Sequence, residues 1–270
     1  MFNDFALLLS GGMLIVLALG RLDEIAGAYL RLVGLMTLAL TSLALAWPLL
    51  SRGGGNASGN TVRLFISGAA ALGAVGVILS AAADRKRWVR AGAAFGGCAG
   101  ISAVCFPLTP SAPTASAGLF AEIIPPLHAL GIITQALLLG AVTCAWLLGH
   151  AYLTATRMTI APLQRFGTIL LTTHFARTGF VAATLATAFV HARSAARPLW
   201  TEITTLDAVV LIMRLGVGIL VAGVFTFMTR DCIRRRSTQS ATGILYFNSA
   251  LIYLGELSAL HLTRITGTPW

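Results

Sequence analysis

Residues 206–228 read LDAVVLIMRLGVGILVAGVFTFM. Only Asp207 and Arg214 carry charge in this run, and nothing in it stops a helix. About 20 apolar residues, rising roughly 1.5 Å each, cross the hydrocarbon core of a bilayer. The run therefore predicts a membrane helix. It also predicts a partner for its arginine, because a charge at mid-bilayer costs about 3 kcal/mol on insertion scales.

Seven further apolar stretches flank it, at 5–20, 29–50, 64–83, 89–108, 127–148, 166–190 and 244–262. The expected fold is an all-α, polytopic integral membrane protein of eight transmembrane helices. Composition agrees. The chain is 57% hydrophobic and 10% charged, against about 25% charged in soluble domains. So little charge cannot cover a surface against water, and lipid must be the main solvent. No polar stretch is long enough for a separate soluble domain. Gly53, Gly54 and Gly55 mark 51–60 as a loop. A Pro-, Ser- and Ala-rich loop follows at 109–118, and an amphipathic segment at 119–126 is expected to re-enter the membrane or lie on it. The chain divides into a Gly/Ala-rich scaffold half, 1–110, an outer loop with the amphipathic segment, 111–126, and a second four-helix half, 127–270.

Basic residues sit at the ends of the apolar stretches. Loops after spans one, three, five and seven hold twelve of them, and the opposite side holds five. By the positive-inside bias, both termini are expected outside, and the even span count agrees, since it puts both on one side. The first basic residue, Arg21, follows the first apolar run, which does not suit a cleaved secretory signal. The net charge of +10 is thereby explained without nucleic acid, for which no basic face with interleaved aromatics exists. Cys98, Cys105, Cys144 and Cys232 form no CxxC pair and read as packing residues. Gly92, Gly96 and Gly100 form a small-residue ridge, expected to pack within the chain against span three. Motifs of ATP hydrolysis and of soluble hydrolases are absent. Enzymatic activity stays open.

The two halves differ in chemistry. All five histidines and nearly every charge at membrane depth lie in the second half. Counting roughly 1.5 Å per residue from the predicted surfaces gives two layers. The outer-middle layer holds Arg177, Asp207, Glu256 and Gln135. The inner layer holds Arg214, His174 and Asn248. Arg177 is expected to meet Asp207 or Glu256, because an unpaired arginine there is costly. Arg177, Asp207, Glu256, Arg214 and His174 are the candidate functional charges, either as a proton path or ligand cleft, or as a structural ion-pair network. His128, His191 and His261 fall near the outer surface, with Glu122 and Glu202 in nearby loops. Imidazoles at one depth on facing helices suit haem iron or a quinone. Each alone also suits an interface with headgroups. His150, ending span five, is expected to cap its last carbonyls.

The leading expectation is a membrane subunit of a respiratory-type redox system that binds haem b or quinol, conducts protons, and works with other membrane or soluble redox subunits. The localisation expected is a bacterial inner membrane. The alternatives are a transporter or channel for an ion or small solute, and a structural or assembly protein without ligand.

Overall fold

A computed structural model describes residues 1–50, 57–105, 124–154, 159–194, 205–266 and 269–270. The structure is all-helical, with no strand among the described residues. Its helices are α1 Phe2–Leu19, α2 Gly27–Leu50, α3 Ala57–Ala82, α4 Lys86–Cys105, α5 Ile124–Thr154, α6 Ala161–Ser194, α7 Thr205–Ile212, α8 Ala222–Arg234 and α9 Thr238–Thr266. A π-helical segment, Met213–Val221, joins α7 to α8 in one rod. Eight helical rods are long and apolar enough to cross a membrane, so the chain is a polytopic integral membrane protein. The predicted spans are recovered with shifted edges. Most of the segment expected to be amphipathic lies outside the described residues, and its last three positions begin α5. Pro125 and Pro126 there fall in the first turn, where a missing N–H costs no helical bond.

Two connections are tight reversals. Asp84 and Arg236 adopt left-handed backbone, with φ of 51° and 60°. Arg85 N–H then donates to Ser80 O at 2.9 Å, and Ser237 N–H to Cys232 O at 3.0 Å. These bonds close each helix end as a Schellman turn. The second reversal folds α8 straight back into α9.

α1 and α5 are the most enclosed rods. They meet at Gly12 and Gly140, where backbone touches backbone: a Cβ on Gly12 would lie 1.8 Å from Ala136 O. Without a hydrophobic force between helices in lipid, such bare contacts let dispersion hold them. The ridge on α4 packs within the chain as expected. Gly92 and Gly96 meet Gly73 of α3, and Gly100 meets Gly11 of α1. One apolar core runs through both halves, from Leu8 and Met13 of α1 to Leu245 and Ile252 of α9. Phe65, Leu72 and Leu79 share one exposed face of α3, as lipid-facing positions seven apart should.

At one end of the bundle, Asp4 accepts hydrogen bonds from Arg63 of α3 and from Arg264 of α9, the latter at 2.7 Å. The Met1 amino group stands 3.5 Å from the same carboxylate. Burial lowers that amino group below its ordinary pKa, against the pull of Asp4. This clamp holds the start of α1 beside the end of α9.

Candidate functional site

Glu256 of α9 lies between two arginines. Its Oε2 accepts from Arg177 Nη2 of α6 at 2.9 Å, and its Oε1 from Arg177 Nε at 3.3 Å. The same Oε1 accepts from Arg214 Nη1, on the π-helical segment, at 2.7 Å. None of the three side chains is more than 1% exposed. The expected pairing of Arg177 with Glu256 is present.

Arg177 is heavily held. Its Nη1 donates to Gly131 O at 3.1 Å and Thr134 Oγ1 at 3.4 Å, both on α5. Its Nη2 also donates to Trp270 O, and its guanidinium stacks 5.5 Å from the Phe180 ring centre. Gln135 Nε2 donates to the backbone carbonyl of Glu256 at 3.1 Å, tying α5 to α9 at this level. Among the described residues, Arg214 is held by Glu256 alone, and its buried Nε and Nη2 have no hydrogen-bond partner.

Local sequence explains how Arg214 reaches Glu256. Gly218 and Gly255 face each other, and a Cβ on either would stand 2.5 or 2.4 Å from the other's Cα. Two helices this close bring the residue after Gly255 onto the arginine's side chain. The π-helical segment widens the turn here, a feature that recurs at functional sites. Its Ile219 carbonyl, already accepting from Ala222 N–H, lies 3.1 Å from His174 Nε2. A carbonyl only accepts, so Nε2 donates here, and Nδ1 is buried without a partner among the described residues. Further along, Asn248 Nδ2 donates to Thr226 Oγ1 at 3.0 Å, and its Oδ1 is likewise buried and without a partner among the described residues.

Three expectations are corrected. Arg214 does not belong to a separate inner layer with His174 and Asn248; it joins Arg177 at Glu256. Asp207 is not part of that cluster. It stands 3.9 Å from His261 Nε2, near the start of α7 and the end of α9. His150 does not cap α5, which continues to Thr154. Its Nδ1 meets Tyr246 Oη at 3.0 Å, beside the packed rings of Trp146 and Tyr246.

His128 is half-buried on α5, three residues before Gly131. The side chain of His191 lies outside the described residues, as do Glu122 and Glu202. Among the described residues, no three His, Cys, Asp or Glu side chains gather as a metal set.

Sequence reasoning missed Gly131, Thr134, Ile219, Thr226 and Trp270. Three of these act through backbone oxygens, for which no side-chain signal exists. Thr134 had a signal in its position beside Gln135. No family model, curated protein or solved structure matches the chain, so its site is read from its own residues.

Proposed function

We propose that this protein is a membrane carrier for a small anion, with Arg177, Arg214 and Glu256 as its binding station. The observation that carries this reading is the buried Arg214 guanidinium, two of whose donors are unpartnered among the described residues. Arg177 already meets both oxygens of Glu256. A second arginine at mid-bilayer adds roughly 3 kcal/mol of insertion cost, which an anion would offset. Protonation of Glu256 would free Arg214 Nη1 and add one positive charge to the cluster, so that anion and proton enter together. The host membrane on this reading is the bacterial cytoplasmic membrane, with both termini on its outer side.

Proteoliposome uptake of chloride and acetate under an imposed pH gradient tests it. The expected result is gradient-driven uptake that Arg214→Met abolishes and Glu256→Gln releases from the gradient. Uptake no greater than in empty liposomes, for both anions, refutes it.

The redox reading is favoured by a different observation. His261 stands beside Asp207, and a carboxylate next to an imidazole is a common way to orient a ligating histidine. On that reading, His261 and His128 would hold haem b or hydrogen-bond a quinol, Arg177 and Glu256 would carry protons, and partner subunits would exchange electrons. A reduced-minus-oxidised haem band lost in both His128→Ala and His261→Ala, and kept in His150→Ala, is its expected signature. Purified protein without haem or quinone removes it.

A further inference from the structure

We infer that the buried edge of Arg214 is a recognition site for a single carboxylate group. A guanidinium has one edge on which Nε–H and an Nη2–H run parallel, and this fork matches the two oxygens of a carboxylate. In Arg214 the remaining nitrogen, Nη1, is spent on Glu256 Oε1 at 2.7 Å. The two unpartnered nitrogens are Nε and Nη2, the members of the fork. The side chain has no exposed surface, so bulk water does not reach these donors. Arg177 offers no such edge. Its Nε and Nη2 are taken by Glu256 and Trp270, and its Nη1 by Gly131 and Thr134.

Geometry selects among acceptors. Chloride presents one centre and cannot fill both arms of the fork in line, whereas a carboxylate can. Because Arg214 and Glu256 are enclosed, binding requires the helices around them to part, and slow association is expected. The carboxylate has two possible sources: a small organic acid from solution, or an acid group on a bound cofactor such as a haem propionate. The first source rests on the carrier reading above.

The test uses the full chain in nanodiscs. Thermal unfolding is followed with acetate, propionate, chloride or sulfate at matched ionic strength, alongside a visible spectrum and mass spectrometry of extracted pigment. The expected result is a saturable rise in midpoint with the carboxylates, at an affinity about tenfold or more above chloride. Arg214→Lys keeps the charge and removes the fork, and should erase that preference. Glu256→Gln removes the competing carboxylate, and should tighten carboxylate binding even if Arg214→Lys folds poorly. If the protein instead purifies with a haem, and Arg214→Lys lowers its occupancy, the cofactor is the source and the inference also stands. Equal stabilisation by chloride and carboxylates that is unchanged in Arg214→Lys overturns it, as does no stabilisation in a pigment-free protein. Anion flux that continues in the face of such equality would leave the carrier reading intact. Carboxylate-selective binding without flux would overturn the carrier and keep this site.

Discussion

Replacing each arginine of the cluster by methionine should have opposite consequences for stability. Methionine keeps much of the apolar stem and removes charge and donors. Arg177→Met breaks both bonds to Glu256 and deprives Gly131 O, Trp270 O and Thr134 Oγ1 of a donor. Removing one partner of a buried pair costs about 3–5 kcal/mol. Arg214→Met loses a single contact, worth roughly 1.5–3 kcal/mol for a bond between charged groups. It also removes two buried unpartnered donors, whose burial costs about 3 kcal/mol together, at roughly 1–3 kcal/mol each. Glu256 stays held through both oxygens by Arg177. The net change for Arg214→Met is therefore between zero and a gain of about 1.5 kcal/mol. The two variants should differ by at least about 3 kcal/mol. Reversible unfolding in mixed micelles, titrated with SDS and followed by tryptophan fluorescence, measures both on one scale. Equal costs within about 1 kcal/mol, near the spread expected of such measurements, would refute the argument. Arg214 would then hold the fold together, and its free donors would need no ligand.

Three further outcomes follow from other parts of the bundle. Gly255→Val places atoms where Gly218 backbone already lies; overpacking should cost about 1–3 kcal/mol and weaken anion binding by pulling Arg214 from Glu256, read by unfolding and binding together. Arg236→Gly relieves a left-handed non-glycine residue at the α8–α9 reversal and should raise stability by roughly 1 kcal/mol, with an unchanged or lower unfolding midpoint counting against it. A cysteine introduced beside Lys86 should resist membrane-impermeant reagents in intact cells, and labelling there would invert the orientation that the basic residues predict.

The number and type of elements were legible because a helix crossing lipid leaves an unmistakable apolar run. The second-half location of the ion pair was legible as well, since charge in such a run demands a partner. The register between spans was not. Depth counted from predicted surfaces puts Arg214 in an inner layer, whereas it lies level with Glu256. The reach of an arginine side chain and the wider turns of the π-helical segment that carries it are not visible in such a count. Asp207, expected in one layer with Arg177 and Glu256, lies at the start of α7 beside His261.

A better ruler was present in the chain. α8 and α9 are joined by Arg235, Arg236 and Ser237, so the two rods run antiparallel from a shared turn. Residues equally far from that turn must lie side by side. Arg214 is 21 residues before Arg235, and Glu256 is 19 after Ser237. Gly218 and Gly255 stand at 17 and 18, and Thr226 and Asn248 at 9 and 11. All three pairs are in contact. The hairpin thus fixes one unbroken seam: a polar pair near the turn, a glycine pair that closes the distance, and the ion pair just beyond it. Only the third helix, α6, brings what this seam lacks and what the anion argument depends on. It supplies Arg177, which already satisfies both oxygens of Glu256. The carboxylate therefore has no need of Arg214, and the free fork of Arg214 is left for something outside the seam.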